Sequence, residues 1–442
     1  MRRIVILGAG GRDFHDFLTV FRDDPDTEVV AFTATQIPGI ADRVFPAELA
    51  GSRYPDGIPI RPESELERLI VAHRVHEVVL SYSDLAYDTV MHLAARAQAA
   101  GAGFRLLAPE ATMLRSSKPV VAVCATRTGT GKSQTSRRIG ELLVEAGLRV
   151  ALVRHPMPYG NLLAMRVQRF ATLADIDASD PTIEEREEYE EPVRRGLLVF
   201  AGVDYAAILR AAESEADVVL WDGGNNDLPF FEPDLWITVD DALRAGHGLG
   251  FHPGEVNLRR AQVVIVSKVD SATPEQVGAA ITAMRSVNDE AVLVTAASRV
   301  TLDDGPELSG ARVLVIEDGP TLTHGGMGFG AGTVAARAHG ARELVDPRPH
   351  LVGSLADTYA AYPHLGLALP AMGYGAAQLA DLRATIHACR PDVVVTGTPI
   401  DLRHVLDLDV PVRHARYDLE EIGRPDLRDV LDPWIARWRA AG

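Results

Sequence analysis

The chain has 442 residues, 47% hydrophobic and 24% charged, with a formal net charge of −17. This length exceeds one ordinary core and predicts two or three domains with a globular interior. The acidic balance speaks against broad binding to nucleic acid or an anionic membrane, so a small anionic ligand would need a local cationic pocket.

The N-terminus runs from Arg2 and Arg3 straight into "IVILGAGG", too short for the apolar core of a signal peptide. No apolar stretch reaches membrane-spanning length. The two cysteines, Cys124 and Cys389, have no metal-like or redox-like neighbours in sequence. A reducing, cytoplasmic setting is therefore expected.

"RIVIL", "EVVAF", "EVVLS" and "FRLLA" read as strands separated by helical stretches such as "DLAYDTVMHLAARAQAAG". That alternation predicts an α/β fold with a mostly parallel sheet, and a Rossmann-like first domain over residues 1–116. "VILGAGGRDFHDF" is superficially a dinucleotide fingerprint. However, Gly8, Gly10 and Gly11 do not complete G-x-G-x-x-G, and "EVVAFTATQ" lacks the carboxylate that would take a ribose. A redox dinucleotide is not expected. Arg12, Asp13 and His15 at the helix start are candidates for holding a substrate anion; the alternative is an ordinary tight turn.

"RSSKP" reads as a linker, and a second domain is expected over 117–442, with a C-terminal extension and a possible subdivision near 345. Its strands are "VVAVCA", "RVALV", "DVVLWD", "LWITVD", "QVVIVS" and "AVLVT", followed by "RVLVIEDG", "DVVVTG" and "VRHARY". The carboxylate-dense segment 175–191 breaks the rhythm. It is either a solvated surface or a lid over a metal or substrate.

The chemistry centres on "VVAVCATRTGTGKSQTSRR": strand, glycine-rich loop, helix. Glycines let the backbone turn its N–H groups toward phosphate oxygens, and the helix N-terminus adds partial positive charge. Thr128, Gly129, Thr130, Gly131, Lys132, Ser133 and Gln134 are the expected nucleotide cradle for ATP or GTP. Lys132 would reach the β- and γ-phosphates and Ser133 would hold Mg²⁺. Thr126 stands where the usual first glycine falls. Arg127 is either a transition-state clamp, a residue reaching a facing subunit, or a solvent-facing loop residue.

"ADVVLWDGGNND" ends a strand on Asp222, the second expected Mg²⁺ contact. "VVIVSKVD" approximates a guanine-reading tetrad with Ser267 in place of asparagine, making Lys268 and Asp270 candidate base contacts; "TAAS" at 295–298 is the candidate loop beside them. Arg154 and His155 follow a strand end, where ligands of parallel sheets collect. There they would face an anionic substrate, or pair with the acidic segment. The candidate catalytic set is Lys132, Arg127, Arg154, His155 and Asp222. Thr323, His324, Gly325 and Gly326, in "EDGPTLTHGGMGFGAGT", are candidates to wrap a substrate phosphate.

Together "GAGGRDFHDF", "FTATQIPGI", "TRTGTGKSQTSRR", "RHPMPYG", "TIEEREEYE", "WDGGNND", "EDGPTLTHGGM" and "AMGYG" resemble the archaeal cyclic 2,3-diphosphoglycerate synthetase family and its bacterial relatives, often labelled GTPases. The resemblance covers most of the chain. It implies a Rossmann-like domain followed by a phosphate-loop domain, a homodimer, and ATP-driven closure of an intramolecular phosphoanhydride in 2,3-bisphosphoglycerate. The expected activity is thus nucleotide-driven, Mg²⁺-dependent phosphoryl transfer to a small anionic phosphorylated acceptor. The rival expectation is a nucleotide-hydrolysing switch or assembly factor acting on a protein partner.

Overall fold

Apolar runs without polar interruption, such as Val120–Ala125 and Val263–Ser267, are what strands covered on both faces require. The computed structural model describes the chain apart from residues 36–41, 156–160, 180, 182, 324, 372–375, 399–401, 405 and 442. These runs lie in the middle of a thirteen-stranded sheet among the described residues. Val120–Ala125 sits between Val218–Asp222 and Leu235–Asp241, parallel to both. The carboxyl end of Val120–Ala125 therefore opens beside the carboxyl ends of its neighbours.

Beyond Val263–Ser267 the sheet continues into the last third of the chain. Val292–Leu302 pairs antiparallel with Val412–Ile422, which pairs with Val393–Gly397, which pairs with Arg312–Asp318. "TAAS" is not a loop here. It lies inside the eleven-residue strand Val292–Leu302, where Thr295 donates its hydroxyl to the Ile422 carbonyl at 2.8 Å. The long partner strand supplies a ladder that the isolated tetrapeptide gives no hint of.

One face of the sheet packs Val121 and Val123 against Ile139, Leu142 and Leu143 of the helix Lys132–Glu145, and against Leu427, Val430 and Leu431 of the C-terminal helix. The other face packs Ala122 and Cys124 with Tyr205, Trp221 and Phe230. Both cysteines are buried and unpaired.

Among the described residues the first domain has a separate six-stranded sheet, parallel except for the edge strand Val44–Phe45. Its docking on the second includes two features. Leu162, Met165 and Val203 join its aromatic core. A two-stranded ribbon pairs Leu85–Ala86 with Phe251–His252. Among the described residues no helix is long and apolar enough to cross a membrane.

Candidate active site

A cavity of about 360 Å³ opens where the two domains meet. The phosphate loop forms its floor. Gly131 caps the helix Lys132–Glu145 at φ 106°, a left-handed conformation that disfavours any side chain, and an added Cβ would meet the Gln134 amide at 2.5 Å. Thr128 lines the cavity, and its buried hydroxyl has no protein hydrogen-bond partner. A buried polar atom normally finds a partner, so an orphan in this loop suits a ligand oxygen. Thr126 points elsewhere: its hydroxyl donates to Asp240 at 2.7 Å and its amide to the Val239 carbonyl. No glycine is needed at a position tied to the neighbouring strand.

Arg154 and Asp222 are register partners at the ends of adjacent parallel strands. Their side chains form an ion pair, and Lys132 pairs with the other Asp222 oxygen and with the Gly223 carbonyl. All three are nearly buried, with side chains 10% (Lys132), 2% (Asp222) and 5% (Arg154) exposed. Burial alone would push the Asp222 carboxyl up; Arg154 and Lys132 overcome it and hold the group below the usual carboxylate range. Burial pulls Lys132 below the ordinary lysine value despite Asp222. Ser133 and Gln134 line the cavity beside them.

The acidic segment folds as Leu173–Ala178 and Ile183–Arg194. Tyr189 anchors it by stacking on Phe170, with ring centroids 4.7 Å apart. Glu188 reaches the cavity and pairs with Arg154. His155 lies between the two domains: a Cβ on Gly11 would overlap its ring, and one on Gly224 would come within 3.2 Å. Gly11, at φ 153°, is thus required by this close approach as well as by its backbone.

No family model matches the chain. Arginine synthetase ArcE of Thermococcus kodakarensis is 56% identical over 433 residues, spanning 98% of this chain and 97% of the relative. This chain belongs to the arginine synthetase ArcE family. It is an enzyme of the synthetase kind. Similar solved structures include LpxK from Aquifex aeolicus in complex with ATP, at 12% identity over 73% of this chain and 90% of that one, with a TM-score of 0.41. Another is a DUF1611 family protein from Anabaena variabilis, at 13% identity over 66% and 94%, with a TM-score of 0.24.

Several candidate residues of this ArcE-family chain take places that the sequence pattern does not reveal. The Gly10, Gly11 and Phe14 amides all donate to the Asp13 carboxylate, at 2.8, 3.1 and 2.8 Å. The turn is filled by its own side chain. Arg12 lines the cavity but pairs with Asp227 and Asp16, and donates to the Leu228 carbonyl at 2.6 Å. His15 is buried, with Nε2 2.7 Å from the Thr112 carbonyl and its ring stacked on Phe230 at 4.1 Å. It joins the domains and is not among the cavity-lining residues.

Burial, reinforced by Arg12, pushes His15 down to about 3. Between pH 6.5 and 3 the unfolded chain binds a proton there that the native chain does not. This stability is complete above pH 6.5 and is lost as the pH falls toward 3. His15 should account for a loss on the order of 2 kcal/mol between pH 7 and pH 5. Urea melts of His15→Gln at the two pH values should show a correspondingly flatter dependence; an unchanged slope would count against a neutral buried ring.

The tetrad splits in two. The Ser267 hydroxyl lies 2.5 Å from the Thr130 carbonyl, and Lys268 donates to the Gly129 carbonyl at 2.6 Å while paired with Asp241. Both residues brace the phosphate loop, and Lys268 also lines the cavity. Asp270 is exposed, accepts the Ser298 amide at 3.1 Å, and does not line the cavity. Asp270→Ala should accordingly leave the affinities for ATP and GTP unchanged within about threefold; a selective loss of GTP in a binding titration would restore it as a guanine reader.

In the glycine-rich loop, Gly330, Gly332 and Thr333 donate their amides to Glu317, at 3.0, 3.1 and 2.7 Å. This anion-shaped nest too is filled internally. Thr323 donates its hydroxyl to the Gly319 carbonyl, and the Gly325 carbonyl accepts from Arg244. Neither they nor Gly326 line the cavity. His324 lies outside the described residues, as do parts of "FTATQIPGI", "RHPMPYG", "TIEEREEYE" and "AMGYG". Sequence reasoning missed Asp84, whose carboxylate pairs with Arg127 from across the domain boundary. It also missed Asp227 as the partner of Arg12.

Proposed function

We propose that this chain is an ATP-dependent synthetase that completes the guanidinium group of arginine. The observation that carries the reading is the Lys132–Asp222–Arg154 cluster on the phosphate-loop floor, facing a wall of the first domain, in a chain 56% identical to an arginine synthetase. A phosphate loop delivers a γ-phosphoryl group to an oxygen nucleophile. The arginine side chain has no oxygen, so the oxygen that is activated must leave. The fitting precursor is the ureido analogue of arginine, citrulline. Its ureido oxygen takes the γ-phosphoryl group from ATP. Ammonia then adds to the carbon, and inorganic phosphate departs with that oxygen. Starting from ammonium, the sum is guanidinium, ADP and phosphate with one proton released.

In this reading Lys132 leaves Asp222 for the β- and γ-phosphates. Arg154 stays beside the transferring group, and Glu188 holds Arg154 from the other side. On the cavity wall Asp227 and Glu188 already neutralise Arg12 and Arg154, which lowers the pull of those two cations on a polyanion. The Ser133 hydroxyl and the Asp222 carboxylate are hard oxygen donors and would be the residues to hold Mg²⁺. When bound, Mg²⁺ neutralises charge on the β- and γ-phosphates.

The test is ADP release from ATP with citrulline and ammonium supplied separately and together, with products followed by phosphorus and carbon NMR. Arginine, ADP and phosphate in equal amounts, dependent on both substrates, are expected. Turnover indifferent to both would overturn the reading. Cyclisation of 2,3-bisphosphoglycerate is the second reading, favoured by the cations Arg12, Arg127, Lys132, Arg154 and Lys268 along one cavity. A cyclic anhydride formed from that acceptor in the same assay would replace the first.

A further inference from the structure

Arg127 lines the cavity directly before Thr128, and its side chain is 6% exposed. A guanidinium buried to this extent needs a partner, because an unpaired buried charge is strongly destabilising. Its partner comes from the other domain. Asp84, 2% exposed, accepts from Arg127 Nε at 2.5 Å, and its second oxygen accepts the Thr128 amide at 3.3 Å. Arg127 Nη1 lies 3.0 Å from His247 Nδ1. The Phe251 ring lies under the guanidinium carbon, 3.5 Å from the ring centroid. The guanidinium plane is thus held on two edges and one face.

Asp84 arrives with the first domain, whereas His247 and Phe251 belong to the same domain as Arg127. Asp84 immediately precedes the ribbon strand Leu85–Ala86 that pairs with Phe251–His252: the Asp84 amide donates to the His252 carbonyl at 2.8 Å, and the Tyr87 amide to the Gly250 carbonyl at 3.0 Å. Asp84 sits at φ 64°, a left-handed conformation uncommon outside glycine, kept by those contacts. Docking of the first domain and orientation of Arg127 are one structural unit.

We propose that Arg127 acts within its own chain as the arginine that contacts the nucleotide phosphates during transfer, and that Asp84 is its positioning residue, making turnover conditional on the docked first domain. A planar donor fork fixed before the nucleotide arrives is worth more to the transition state than a mobile one, since little reorganisation remains. The proposal rests on the nucleotide reading of this cavity and not on the identity of the acceptor.

The experiment compares wild type, Asp84→Asn, Arg127→Ala and the double variant in ADP release, with affinity read by titration of a fluorescent ATP analogue. Arg127→Ala should lower kcat by about 10²–10³-fold, as removal of one preorganised donor does elsewhere. Asp84→Asn should lower kcat by roughly 10-fold or more, with analogue affinity within about threefold. The double variant should be little slower than Arg127→Ala, because without Arg127 the contact that Asp84 keeps with the loop is the long one to the Thr128 amide. Phe251→Leu keeps both charges and removes the face beneath the guanidinium. It should lower kcat by about 3–10-fold and guards against a folding defect in Asp84→Asn. Wild-type kcat in Asp84→Asn, or effects of the two residues that multiply, would overturn the positioning role while leaving the nucleotide site intact. Failure of wild type to bind the analogue would overturn both.

Discussion

Replacing Lys132 by alanine is expected to reduce ADP release by at least about 10³-fold while leaving the fold in place. In the proposed reading Lys132 follows charge from the β- to the γ-phosphate, a position that the Asp84-bound Arg127 does not occupy. The folded state should tolerate its loss because Asp222 keeps its ion pair with Arg154. One hydrogen-bonded partner is removed from a carboxylate that retains another, so a cost of about 1–3 kcal/mol is expected. Urea melts and the initial rate of ADP release check the two halves. A melt like wild type with near-normal turnover would remove the loop from the chemistry.

The strand–loop–helix geometry around Lys132 was legible because it is local. The strand, the left-handed Gly131 and the helix beginning at Lys132 occupy consecutive residues, and each demands a particular residue type for its own backbone reason. Asp222 was legible for a similar reason, as the polar end of an apolar strand. The parallel α/β alternation carried the fold, except where a distant partner decides: "TAAS" becomes strand only because Val412–Ile422 lies beside it.

The anion sites proposed from glycine patterns show where such reading runs out. Gly10 and Gly11, and again Gly330 and Gly332, form backbone nests suited to a negative charge, as their composition predicts. The sequence does not say whose charge. Asp13 fills the first from two or three positions away, and Glu317 fills the second from thirteen and fifteen positions away. An internal carboxylate and a ligand phosphate ask the same of a backbone, so only the folded geometry separates them. Arg127 is similar. Its offset from Lys132 marks it in the sequence, but Asp84, 43 residues earlier, becomes its partner only through the docking ribbon.

The Lys132–Asp222–Arg154 cluster leads to a second large effect, with opposite signs for binding and turnover. Asp222→Asn preserves volume and removes the charge that compensates two buried cations. Breaking a buried ion pair from one side typically costs about 3–5 kcal/mol, and Glu188 beside Arg154 places this case toward the lower end. Turnover should fall by about 10²–10⁴-fold, because the carboxylate that would help hold Mg²⁺ near the transferring phosphoryl group is gone. Nucleotide binding without Mg²⁺ should nevertheless tighten. In the wild type a phosphate must draw Lys132 away from Asp222; in the variant that competition is absent, and the ligand supplies the missing negative charge. ADP in EDTA should therefore raise the melting temperature of Asp222→Asn by more than that of the wild type, although the variant starts lower. If ADP stabilised the variant less than the wild type under those conditions, Asp222 would not be the group that Lys132 exchanges for phosphate.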